Sequence, residues 1–275
     1  MQATTTAPDA LRSCSPSQEI FSNQDAFFAH LEAAVHESKT QQVLLFVHGF
    51  NVDLASATEK AAVLRIGTGF DGVVVAYSWP SAGKLLHYYY DQENNEWTIP
   101  HLRDFIAQLG QHVPEKHLHI LAHSMGSRAL IHALYSMPNP PEFGQLLLAA
   151  PDIDSGVFED MVRSLRTFDG KTIYVSNHDK ALKASRKLHG DYPRLGDSKN
   201  THYISRDAGI EVVDVSALKG DITGHLYYSG QPLVLGDIGH ILPGKGSAAQ
   251  ECGPSKKPKS IRELCRITTR TESQK

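Results

Sequence analysis

The sequence predicts an α/β domain built on a mostly parallel central sheet with helices on both faces, and three observations carry that prediction. Short continuous apolar runs, VLLFV at 43–47, GVVVAY at 72–77 and QLLLAA at 145–150, have the composition of strands buried on both faces. Longer segments of helical period separate them, so that strand and helix alternate as βαβ units do. The stretch from Leu118 to Tyr135, LHILAHSMGSRALIHALY, sets a strand, a sharp turn and a helix in direct succession around Ser124.

Taken in order, the first 18 residues are rich in Thr, Ser, Ala and Pro and read as a flexible arm. An amphipathic helix is predicted over Gln24 to Glu37, with Phe27, Phe28, Leu31 and Val35 on one face. The first strand, Val43 to Val47, ends in His48-Gly49-Phe50-Asn51. Asp53 to Arg65 reads as a helix and Gly72 to Tyr77 as the next strand, ending in Ser78-Trp79-Pro80. Ser81 to Trp97 carries Lys84, Tyr88, Tyr89, Tyr90 and Trp97 among polar residues and suits either a lid over the sheet edge or a partly exposed helix. Ile99 to Leu109 is the helix returning to the strand His117 to Ala122.

Beyond that strand, Ser127 to Tyr135 is helical. Strands follow at Gln145 to Ala150, Lys171 to Ser176 and Gly209 to Val215, with helices at Gly156 to Leu165 and Ala181 to Leu188 between them. Residues 19–242 form the predicted domain. From Pro243 the composition turns to Gly, Ser, Pro and Lys, the pattern of a basic, largely disordered tail over 243–275.

The whole chain excludes several classes. A net charge of −3 over 275 residues gives no basic character that would point to nucleic acid. Three cysteines, Cys14, Cys252 and Cys265, have neither disulfide-framework nor metal-site spacing. No apolar run reaches the roughly 18 residues of a membrane span, and no charged-then-apolar leader opens the chain. The default is a soluble cytoplasmic protein without integral membrane association. Composition does not fix the oligomeric state.

The chemistry is concentrated at the strand ends. Ala122-His123-Ser124-Met125-Gly126 has the layout of a nucleophile elbow, with Ala122 in the place of the first glycine. Small residues are needed on both sides of the serine because strand and helix pass close together there. Ser124 is the candidate nucleophile, and the helix that follows aims its unpaired N–H groups at any oxyanion formed beside it. A second donor has to come from a neighbouring strand's loop. The His-Gly turn after Val47 suits it, so the amides of Phe50 and Met125 are the candidate oxyanion hole. His48 is expected to brace that loop. Asp179 and His225 lie in loops at the same sheet edge, where ligands of parallel sheets bind.

The chain order Ser124, Asp179, His225 resembles that of the α/β-hydrolase superfamily. More narrowly, VHGFN, SWPS, LAHSMG, LAAPDID, SNHDKAL and GHLYY resemble the bacterial α/β hydrolases called domain of unknown function 900, over about Gln42 to Leu242. The resemblance implies an α/β-hydrolase fold and an esterase-like or lipase-like enzyme that cleaves a small-molecule acyl ester without cofactor or metal. Little chain precedes the first strand, so the sheet is expected to lack the usual antiparallel strands at its N-terminal edge. In this reading His225 takes the proton of Ser124 and Asp179 orients the imidazole. Asp152 is the rival acid, and His202 and His240 are rival histidines. Arg194 suits either a structural ion pair or an acidic substrate group. An acyltransferase, a thioesterase or a non-catalytic binding module stays open as an alternative.

Overall fold

The computed structural model describes residues 20–204, 208–218, 223–247, 250–251 and 265–267. Six parallel strands are β1 (Val43–Val47), β2 (Val73–Tyr77), β3 (Leu118–His123), β4 (Phe143–Ala149), β5 (Phe168–Val175) and β6 (Ile210–Asp214). They lie in the order β2-β1-β3-β4-β5-β6. Every residue of β1, β3 and β4 is buried, including His119, His123 and Gln145 among the apolar residues, whereas β2 is half-buried throughout. Among the described residues β2 is the outermost strand on its side, which is the shortened N-terminal edge.

The alternation of side chains along β1 divides the core in two. Val43, Leu45 and Val47 face Phe28, Leu31 and Val35 of α1 (Gln24–Glu37) and Leu102, Ile106 and Leu109 of α3 (Tyr88–Leu109). Leu44 and Phe46 face the other layer. That layer holds Ala61 and Leu64 of α2 (Leu54–Thr68), with Val234, Leu235 and Ile238 of α8 (Pro232–His240). The remaining helices are α4 (Met125–Tyr135), α5 (Ser155–Met161), α6 (Lys180–Leu188) and the single turn α7 (Tyr227–Gly230). Side-chain caps start several of them: Asp53 accepts from the Ser56 amide at α2, and Asp154 accepts from Gly156 and Val157 at α5.

Two regions depart from the sequence reading. The helix expected from Ile99 begins eleven residues earlier, at Tyr88, and runs straight through Pro100. Proline reads as a helix start because it lacks the N–H and crowds the preceding turn. Here the cost is offset by burial of Leu102, Ile106 and Leu109 after it and by the hydrogen bonds of the buried Asp91, Asn95 and Thr98 before it. The Ser81 to Trp97 segment is therefore mostly the first half of α3. Its Tyr88 is half-buried, while Tyr89, Tyr90 and Trp97 stay exposed.

The second departure is in the predicted tail. Gln250–Glu251 and Cys265–Ile267 form short strands β7 and β8, and β8 pairs antiparallel with β6. The arm at 1–18 and most of the tail lie outside the described residues. Among the described residues no helix is long and apolar enough to cross a membrane.

Candidate active site

Ser124 sits between the end of β3 and the start of α4 with φ 53° and ψ −125°, a left-handed conformation that a non-glycine residue holds only under constraint. The constraint is visible in its backbone. The Ser124 N–H donates to Ala149 O at 3.0 Å, and the Ser124 carbonyl accepts from Ser127 N at 3.0 Å and Asp152 N at 3.1 Å. Close approach supplies the rest. A methyl group on Gly126 would lie 2.2 Å from His48 O, and one on Gly49 would lie 2.8 Å from the Ser124 Cβ. Elbow and oxyanion loop therefore touch backbone to backbone, which only glycine permits at these two positions.

The same bonds orient the candidate oxyanion donors. In a planar trans peptide the C=O of one residue and the N–H of the next point in opposite directions. The Ser124 carbonyl is held by two amides, so the Met125 N–H points away from them. The Gly49 carbonyl accepts from His48 Nδ1 at 2.8 Å, which aims the Phe50 N–H away from His48. Among the described residues neither the Phe50 nor the Met125 amide has a hydrogen-bond partner.

His48 is a brace. Its ring stacks on Trp79 at 4.9 Å and 14°, its carbonyl accepts from Trp79 Nε1 at 2.8 Å, and Ser78 Oγ approaches Nε2 at 3.4 Å. Nδ1 carries a proton, because only then can it bond a carbonyl. Burial lowers the pKa of His48, which favours the neutral ring with Nε2 facing Ser78 Oγ as the acceptor.

Asp179 and His225 are brought together. Asp179, 1 % exposed, accepts from His225 Nδ1 at 2.6 Å through Oδ2, while its Oδ1 accepts from the Leu182 amide at 2.9 Å as the N-cap of α6. One carboxylate oxygen thus meets the imidazole and the other caps the helix. Protonation at Nδ1 leaves Nε2 as the basic nitrogen of His225. The His225 loop lies against Asp179: Lys180 N donates to Thr223 O at 2.9 Å, and Tyr227 OH donates to Tyr174 O at 2.8 Å.

Asp152 is engaged elsewhere. It accepts from Ser185 Oγ at 2.6 Å and from Tyr88 OH at 3.5 Å, and it faces Arg194 Nε at 3.6 Å with both side chains buried. Arg194 thus makes the structural ion pair. Of the rival histidines, His240 donates from Nδ1 to Gly246 O at the end of α8, and the side chain of His202 lies outside what the structure describes.

One neighbour escaped the sequence reading. His123, the residue before Ser124, is 3 % exposed, donates from Nε2 to the His225 carbonyl at 3.2 Å, and contacts the rings of His225 (4.6 Å) and Tyr228 (4.4 Å). Its only sequence signal is adjacency to Ser124. No group of three or more His, Cys, Asp or Glu side chains able to hold a metal occurs among the described residues.

Burial pushes three histidines below their ordinary range: His119 to about 4, His123 well below 6.5, and His48. A base whose folded pKa is lowered binds more protons when unfolded, so its contribution is complete above pH 6.5 and is lost as the pH falls below it. Thermal melts from pH 7 to pH 5 are expected to fall by about 5–10 °C, on the order of what two to three such groups supply in a domain of this size. Triple replacement of these histidines by glutamine should flatten that slope.

Known proteins bear on the fold and the family. Over 65 residues the chain is 35% identical to an uncharacterized protein of Nostoc sp., a match covering 24% of this chain and 17% of that protein. The chain thus spans under a fifth of the length of that relative. Among solved structures, esterase PE8 is 14% identical with a TM-score of 0.47, over 71% of this chain and 93% of that one. MenH from S. aureus is 12% identical with a TM-score of 0.40, over 71% of this chain and 90% of that one. Residues 23–242 match the family model described as alpha/beta hydrolase of unknown function, domain of unknown function 900, and the chain belongs to that family.

Proposed function

We propose that this hydrolase cleaves carboxylic esters of small molecules through an acyl-enzyme intermediate on Ser124, without cofactor or metal. The observation that carries the reading is the 2.6 Å contact of Asp179 with His225 Nδ1, at the same sheet edge as a serine with φ 53°. Ser124 Oγ adds to the acyl carbon while its proton passes to His225 Nε2, and Asp179 holds the tautomer and the charge that develops. The oxyanion is bound by the amides of Phe50 and Met125. Collapse expels the alcohol, protonated by His225, and water repeats the sequence to release the acid. In this reading Asp179, rather than Asp152, is the triad acid.

The test is a panel of p-nitrophenyl esters of graded acyl length, beside thioester and amide substrates, with an alcohol competing against water. Ester turnover that yields free acid is expected. Product formed mainly on the alcohol would make the enzyme an acyltransferase, and preference for the thioester would make it a thioesterase. Absence of both turnover and fluorophosphonate labelling would leave only a binding module.

A further inference from the structure

The two amides assigned to the oxyanion belong to segments far apart in sequence, the loop after β1 and the first turn of α4. A pair of donors stabilises an oxyanion only while their separation is held to a few tenths of an ångström, so something has to tie the segments to a common frame. A single face of α3 touches both. Asp91 and Asn95, both fully buried, stand four residues apart and therefore one above the other on the helix.

Asp91 accepts from the Asn51 amide at 3.2 Å, beside Phe50, at a residue whose φ of 58° marks the turn of that loop. It also accepts from Ala82 N at 2.7 Å and from Ser81 Oγ, and Ser81 Oγ accepts in turn from Val52 N at 3.2 Å. One turn later, Asn95 Nδ2 donates to the Met125 carbonyl at 3.1 Å. Among the described residues its Oδ1 is buried without a hydrogen bond, an arrangement that costs stability.

We propose that Asp91 and Asn95 are positioning residues for the oxyanion hole, one helical turn that fixes the distance between the Phe50 and Met125 amides. The inference rests on the serine-esterase reading of the site. It predicts a kinetic signature. The oxyanion is common to every acyl substrate and forms only in the transition state, so disturbing its donors lowers kcat, leaves KM nearly unchanged and does so equally for short and long acyl chains.

The experiment compares Asn95→Ala and Asp91→Ala with Thr98→Val, using p-nitrophenyl acetate, butyrate and octanoate. Thr98 lies on the same buried face but bonds Tyr77 OH, at 2.9 Å, so its variant reports loss of helix anchoring alone. We expect kcat to fall about 10- to 100-fold in Asn95→Ala and Asp91→Ala, the scale of misplacing one donor, with KM within about threefold and one factor for all three esters. Thr98→Val should lose melting temperature but keep kcat within about twofold. If an alanine variant does not fold, the isosteric Asn95→Asp and Asp91→Asn are measured by the same criteria. Folded variants with unchanged kcat, a loss that varies with acyl length, or an equal loss in Thr98→Val would overturn the proposal. Failure of the esterase reading is distinct from all of these: it would appear as unchanged turnover in Ser124→Ala.

Discussion

Ser124→Ala is expected to lower ester turnover by on the order of 10³-fold or more while leaving the circular dichroism spectrum and melting temperature close to wild type. The change removes one oxygen from a residue whose structural bonds are all made by its backbone: its N–H to Ala149 O, and its carbonyl to the amides of Ser127 and Asp152. The fold has no use for the hydroxyl that these bonds do not already meet. Alanine is also no worse than serine at φ 53°, since both carry a Cβ in the left-handed region. Any remaining rate is that of the oxyanion hole and substrate binding. Turnover near wild type in pure Ser124→Ala protein would end the serine-nucleophile reading, and fluorophosphonate labelling should vanish with the hydroxyl.

The second large effect is a dissociation between two aspartates. Asp179→Asn should lower turnover at least about 100-fold, because an amide in place of Oδ2 allows the imidazole the wrong tautomer, a defect reaching about 10⁴-fold where it has full effect. Asp152→Asn should lower turnover less than about tenfold, since its carboxylate is occupied by Ser185, Tyr88 and Arg194. Stability should rank the other way. Loss of the Asp152 charge strands the buried Arg194 guanidinium, a change that costs about 3–5 kcal/mol when such a pair is fully desolvated. Asp179→Asn keeps a side-chain oxygen that can cap α6, so no more than the roughly 1 kcal/mol of that cap is at stake. Denaturant melts alongside steady-state kinetics would check both rankings. Greater loss of turnover in folded Asp152→Asn would transfer the acid's role to Asp152.

How much of this was legible in the sequence depended on whether a residue's burial matched its polarity. Strands β1, β3 and β4 were readable because apolar runs such as Val43–Val47, Ile120–Ala122 and Leu146–Ala149 have nowhere to go but a sheet covered on both faces. The elbow was readable because its small residues have a steric reason, and the structure supplies the distances: 2.2 Å and 2.8 Å for methyl groups at Gly126 and Gly49. Pairing of Asp179 with His225 was legible only as position in the chain. Asp91, Asn95 and Thr98 were not legible at all. A polar residue at helical spacing has the same appearance whether it faces water or a buried carbonyl, and Pro100 further concealed that the helix extends over them. The short strand Cys265–Ile267 was hidden by its setting, since Lys, Pro and Ser around it give a solvated composition while its pairing is with a distant edge, β6.

The way the Phe50 and Met125 peptides are held has a consequence for how the proposed site can be altered. The Met125 amide is oriented through the carbonyl of Ser124 and the Phe50 amide through the carbonyl of Gly49, so neither depends on the side chain of its own residue. At position 50 in particular the ring is a separate element: it packs edge-on against Tyr88, at 5.3 Å, and takes no part in holding its own N–H. Exchange of that ring for a smaller or larger one changes the packing against Tyr88 without turning the amide. Under the proposed function, the side chain at position 50 and the charge stabilisation by its N–H are thus separable within a single residue, so the ring can be exchanged while the electrostatics of the reaction stay constant.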